Sequence, residues 1–253
     1  MRRPHTELKN VHKGEDIWVI GAGASMNYID PSFFDGKLVV GVNRVCRFFR
    51  CDYVVSKDGR GFCEIDGNLN GAKLVLSRWE SGNPKSLEPP SLEVTLLGEN
   101  VVGYEHYFFT HPRKPHEQPM LDCVGTEDIV VSFSSITSAI HLAAYMGAKN
   151  IILCGHDCGM IDGQVTIKDY YKNIKPVQGD IRHYHHWLKT QIEKHTINLK
   201  AKLKEVYGTN VLSINPFINL ALEGHKYDRK GIPVQQDAGK KAKGIKITTS
   251  GEQ

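Results

Sequence analysis

The stretch Ile17-Trp18-Val19-Ile20-Gly21-Ala22-Gly23-Ala24-Ser25 decides the fold class. A short, continuous apolar run that ends in glycines reads as a buried parallel strand followed by a tight turn. Outward from it, 37–42 (Lys-Leu-Val-Val-Gly-Val) reads as a second strand, 52–55 as a third and 74–76 as a fourth. On the far side of a proline-broken middle, 128–131 reads as a strand, 134–146 as a helix and 150–154 as the next strand. Ser134 or Ser135 would cap that helix and Gly147 would end it. A long helix over 185–206 follows, with Leu188, Ile192, His195, Leu199, Leu203 and Val206 on one face. Gly208 ends it before a last strand at 211–214. Strands alternating with helices predict an α/β fold: a Rossmann-like, doubly wound, mostly parallel sheet whose ligands bind at the carboxyl ends of the strands.

The chain has 253 residues, 40% hydrophobic and 24% charged, with a formal net charge of +4. These values suit one globular domain over 1–223, with 79–128 as an irregular insertion or flap and 224–253 as a polar, Lys- and Gly-rich, mobile tail. The mild positive charge fits an anionic ligand but lacks the concentrated basic stripe of a nucleic-acid binder. No apolar run approaches the roughly 18 residues of a membrane span, and no signal-peptide segment follows the basic N-terminus. The six cysteines include no Cys-x-x-Cys pair, so the expected setting is reducing and cytoplasmic. Cys154, His156 and Cys158 fall short of the paired four-ligand clusters of structural zinc, so no metal ligand is assigned.

Every candidate site residue follows a strand. Gly21, Ala22, Gly23 and Ser25 form a turn where glycines let backbone approach a phosphate. It is not a dinucleotide fingerprint, because Met26 takes the third glycine position and Asn43, not an acid, ends the second strand. A dehydrogenase is thus disfavoured. Asn43 either caps a turn or hydrogen-bonds a base or sugar; Arg44 either is solvated or pairs with a phosphate. The hydroxyls from Ser132 to Ser138 open a helix, where Ser134 and Ser135 act as caps or as an anion site. Asp157 is a ligand contact, a metal ligand or a turn-former. Tyr170 and Tyr171, then His183, His185 and His186, come next. A histidine of near-neutral pKa can act as general base, and one of those three is the expected catalyst. His195, on an apolar helix face, is expected in the core.

Taken in order, Gly21 to Ser25, Gly41-Val42-Asn43-Arg44, Ser134-Ser135 and the run from Tyr145 through Gly155-His156-Asp157 resemble one superfamily. It holds the bacterial family 42 sialyltransferases and the 6-hydroxymethylpterin diphosphokinase MptE-like proteins, with their Maf-type members. The resemblance covers about residues 15–220, most specifically Gly147 to Asp157. It implies phosphate contacts from Gly21, Gly23 and Ser25, a nucleotide contact from Asn43, and phosphate or donor-carboxylate contacts from Ser134 and Ser135. It also implies a base at His185 or His186. Two positions depart from the sialyltransferase pattern: Ala22 replaces an asparagine, and Cys158-Gly159 replaces a tyrosine-bearing stretch, for which Tyr170 or Tyr171 would substitute. The implied function is a nucleotide-dependent transferase, foremost a glycosyltransferase that joins a nucleotide-activated sugar to a small-molecule or glycan acceptor without a cofactor. The alternatives are an ATP-dependent pyrophosphokinase acting on a pterin alcohol, with Mg²⁺ on Asp58 or Asp157, and a non-catalytic nucleotide-binding module.

Overall fold

A computed structural model describes residues 2–56, 69–77, 106–109, 121–130, 134–159, 161, 164–170 and 192–214. Eight strands, β1 (Arg2–Pro4), β2 (Asp16–Ile20), β3 (Leu38–Val42), β4 (Tyr53–Ser56), β5 (Lys73–Ser77), β6 (His106–Phe109), β7 (Asn150–Cys154) and β8 (Asn210–Ser213), form one sheet. Their order is β1-β6-β5-β4-β3-β2-β7-β8, and every neighbouring pair is parallel. The fold is α/β, as the sequence predicts.

The apolar runs explain the sheet. Ile17, Val19, Val39, Val40, Val54, Val55, Leu74, Val75, Ile151 and Leu153 are all inaccessible to solvent. Burying a side chain of this size stabilises by about 1.5–3 kcal/mol. Helix α1 (Ser135–Tyr145) packs on β2, β3, β4 and β7, and is buried along its whole length. Helix α2 (Glu193–Tyr207) packs on α1 and β8, through Leu199 and Leu203. Trp18 points away from Ile17 and Val19 by strand alternation and meets Phe33 and Phe34 edge-on. No described helix is long and apolar enough to cross a membrane.

Several local readings change. Residues 26–34, which the sequence leaves as a short polar helix or a turn, take the second form: two 3-10 turns, Ala24–Tyr28 and Pro31–Phe34, carry the β2–β3 connection. Residues 128–130 are not in a strand. Their apolar character reflects burial of Ile129 and Val130, and α1 takes up the backbone of Val130. The Val130 N–H donates to His141 Nδ1 (2.9 Å), and its carbonyl accepts from Ser138 Oγ (2.8 Å). Within 79–128, where 101–109 alone reads as strand-like in the sequence, residues 106–109 form β6, an interior strand between β1 and β5. Val206, placed on the apolar face of α2, is 39% exposed. His195 is buried, as expected of a core histidine. The tail 224–253 lies outside the described residues.

Candidate functional site

From β2 the chain order runs one way through β3, β4 and β5, while β7 and β8 lie on the other side. The β2/β7 boundary is therefore a topological switch point, where open parallel sheets leave a crevice at their carboxyl ends. A cleft of about 630 Å³, open mouth included, lies there. Gly21, Ala22, Gly23, Asn43, Ser134, Ser135, Asp157 and Tyr170 all line it.

The glycines are required by contact between two turns. Gly21 N–H donates to the Cys154 carbonyl (2.7 Å) and Gly23 N–H to the Gly155 carbonyl (2.8 Å). A Cβ on Gly21 would stand 2.5 Å from the Gly155 oxygen, and one on Gly23 2.6 Å from both that oxygen and the Asp157 carboxylate. Ser25 completes the join, donating to Asp157 from its backbone N–H (2.7 Å) and from Oγ (2.6 Å). The N–H groups of Gly21, Gly23 and Ser25 are thus engaged within the protein.

Asp157 is buried, and that desolvation pushes its carboxyl up to about 6 against the two Ser25 hydrogen bonds, which lower it. Ser25→Ala removes one of the lowering bonds. The Asp157 carboxyl is then expected to titrate higher still, followed by carboxyl-carbon NMR; an unmoved midpoint would show that Ser25 Oγ does not hold it in solution. The neighbouring His156 is buried, which pushes its imidazole down to about 4 and keeps it neutral. Its Nε2 lies 2.7 Å from Thr196 Oγ1, whose hydroxyl also donates to the Ile192 carbonyl at 2.9 Å. With that single hydroxyl proton spent on Ile192, His156 is the donor to Thr196, so the β7 turn is tied to α2.

The other wall comes from β3 and α1. Asn43 sits in the left-handed region at φ +49, which asparagine tolerates better than most residues. Ser135 Oγ donates to Asn43 Oδ1 (3.4 Å), which leaves the Asn43 amide N–H groups to face other partners. Ser134 caps α1, its Oγ accepting from Ile136 N–H (3.4 Å). Of the two serines, one serves the helix and the other joins Asn43. Ser138, from the same hydroxyl run, is buried against Val130 and takes no part in the cleft.

Arg44 does not line the cleft. It is 2% exposed, donates from Nη1 to the Tyr170 carbonyl (3.2 Å) and lies 5.7 Å from the Tyr170 ring centre. The Tyr170 ring also stacks on Phe48 at 6.0 Å. Arg44 therefore supports Tyr170 from behind. Val165, Thr166 and Ile192 line the cleft without having been marked as site residues; they are ordinary apolar or loop residues with no local signal. Tyr171, His183, His185, His186 and Asp58 lie outside the described residues. Among the described residues no three or more His, Cys, Asp or Glu side chains are grouped to hold a metal. Both Asp157 oxygens accept from Ser25, so its carboxylate is held in place at the cleft wall.

No protein-family model matches the sequence, and no curated relative matches it. Among solved structures, the chain is similar to the sialyltransferase CstII from Campylobacter jejuni in complex with a substrate analogue, cytidine-5'-monophosphate. The identity is 12%, with 81% of each chain covered and a TM-score of 0.43. A variant of that enzyme in complex with CMP gives 11% identity, 80% and 82% coverage and a TM-score of 0.46. A Maf glycosyltransferase from Magnetospirillum magneticum gives 12% identity over 82% of this chain and 37% of that one, with a TM-score of 0.40.

Proposed function

We propose that the cleft binds the phosphate-bearing part of a nucleotide and that the protein is a nucleotide-dependent transferase, using a nucleotide-activated sugar as donor. The observation that carries this reading is the convergence of Ser134, Ser135 and Asn43, at the N-terminal end of α1, on one cleft at the switch point. The end of an eleven-residue helix carries a partial positive charge that favours an anion. Because the N–H groups of Gly21, Gly23 and Ser25 are engaged with Cys154, Gly155 and Asp157, we assign the phosphate to the α1 side. The glycine turn then acts as a rigid floor.

In the transfer, the acceptor hydroxyl attacks the anomeric carbon and the bond from that carbon to the phosphate oxygen breaks. Its electron pair leaves on the phosphate, which the α1 end and the Ser134 hydroxyl, whose proton its capping bond does not use, stabilise as charge develops. The hydroxyl proton passes to a histidine base. His183, His185 and His186 precede Ile192, a cleft residue, by six to nine positions in the sequence, and we assign the base to one of them.

Changing both Ser134 and Ser135 to alanine tests the phosphate site. One cap costs only about 1 kcal/mol of stability, whereas losing the anion contacts should weaken nucleotide binding by at least tenfold in a calorimetric titration. If only the melting temperature falls, both serines serve the helix and the reading fails.

A further inference from the structure

Residues 164–170 form one wall of the cleft through Val165, Thr166 and Tyr170. They do so as a strap laid across the glycine turn. Gly23 and Thr166 form an isolated antiparallel bridge, and Ile167 N–H donates to the Ala22 carbonyl (2.9 Å). On its other edge the strap meets the Asn27 side chain. Lys168 N–H donates to Asn27 Oδ1 (2.8 Å), while Asn27 Nδ2 donates to Gln164 Oε1 (3.1 Å) and lies 3.5 Å from the Thr166 carbonyl. The carboxamide thus takes the carbonyl of Thr166 and the N–H of Lys168, two residues apart, as a neighbouring strand's peptide group would. At the far end Arg44 holds the Tyr170 carbonyl.

We propose that Asn27 is a positioning residue: it holds the 164–170 wall closed on the glycine turn and thereby sets the ligand affinity of the cleft. Its effect on affinity rests on the nucleotide reading above. Asn27 is exposed and belongs to no part of the apolar core, so it has no packing role to confuse with this one. Of the two edges of the strap, the Ala22 and Gly23 edge relies on backbone and survives substitution, whereas the bonds on the Asn27 edge are made by a side chain that substitution removes. When the closed wall is only fractionally populated, apparent affinity falls by that fraction.

The test uses the full chain with Asn27→Ala and Asn27→Asp, read by amide hydrogen exchange over 164–170 and by titration with CMP, UDP, GDP and ATP. Asn27→Ala should speed exchange at Ile167 and Lys168 and weaken binding of whichever nucleotide the wild type takes, each by about tenfold for the bonds lost. The melting temperature should hardly move. Asn27→Asp keeps the acceptor for Lys168 and loses the donor, so it should fall between. Unchanged exchange in Asn27→Ala overturns the clamp, and faster exchange with unchanged affinity overturns its positioning role. Failure of the wild type to bind any of the four nucleotides would instead count against the function proposed above, while the exchange arm still decides the clamp.

Discussion

Gly155→Ala should lower the stability of the protein by about 2–5 kcal/mol and abolish the cleft's affinity for its ligand. Gly155 has φ +65, a conformation that costs a residue with a Cβ roughly 1 kcal/mol or more. The added methyl would also stand 2.5 Å from both the Gly21 carbonyl oxygen and Met26 Cγ. Overpacking of this kind typically costs about 1–3 kcal/mol. One of the two neighbours is backbone at the end of β2, so relief has to come from separating the β2 and β7 turns, and those turns form the floor of the cleft. Gly23→Val acts through the same join, because its Cβ would meet the Asp157 carboxylate and the Gly155 oxygen. Its loss of binding should therefore come with a loss of stability. Urea midpoints measured beside ligand titrations check both variants. A Gly155→Ala protein with wild-type stability would show that the two turns are not in contact.

Acidification from pH 7.5 to pH 5 should destabilise the protein by about 3 kcal/mol, with His141 and His156 as the main contributors. His141 is buried, and burial, aided by nearby His5, pushes its imidazole down to about 3; burial pushes His156 down to about 4. His141 Nδ1 accepts from Val130 N–H, so a proton there would face another donor. For both histidines the folded value lies below the ordinary 6.5. Their contribution is complete above pH 6.5 and is lost as pH falls toward 4 and then 3, because only the unfolded chain takes up the protons. At pH 5 each loses about 2 kcal/mol. Asp157 works the other way: its folded value of about 6 lies above the ordinary carboxylate value. As pH falls below 6 it stabilises the fold, offsetting about 1 kcal/mol by pH 5. His141→Gln should be less stable at pH 7.5 and show a flatter fall toward pH 5, seen in urea midpoints across that range. An unchanged slope would exclude His141 as a source of the acid sensitivity.

The interior strands were legible because they are buried on both faces, and continuous apolar runs such as Ile17–Ile20 mark that state. Strand β1, Arg2-Arg3-Pro4, carries no such mark; it exists through its pairing with β6 at the sheet edge. Residues 128–130 have the composition of a strand but not the pairing, because His141 and Ser138 take the hydrogen bonds of Val130. In the cleft, the position of Gly21 and Gly23 after β2 was readable, but the reason for them was not. The sequence suggests close approach of a phosphate, whereas the space is filled by the Gly155–Asp157 turn, well over a hundred residues away in the chain. The same holds for Asn27, whose partners Gln164, Thr166 and Lys168 no local pattern announces.

A nucleotide in the cleft at the β2/β7 switch point, as proposed, has a direct thermodynamic consequence. Binding to the folded state alone raises the melting temperature by mass action, so the most direct test is a thermal-shift titration of the wild-type chain with CMP, UDP, GDP and ATP, each with and without Mg²⁺. A saturable rise is expected with at least one nucleoside mono- or diphosphate, equal with and without the metal and lost in the Ser134/Ser135 double alanine variant. A rise only with ATP and Mg²⁺ would contradict glycosyl transfer in favour of pyrophosphoryl transfer, and no rise with any of the four would contradict the nucleotide site itself.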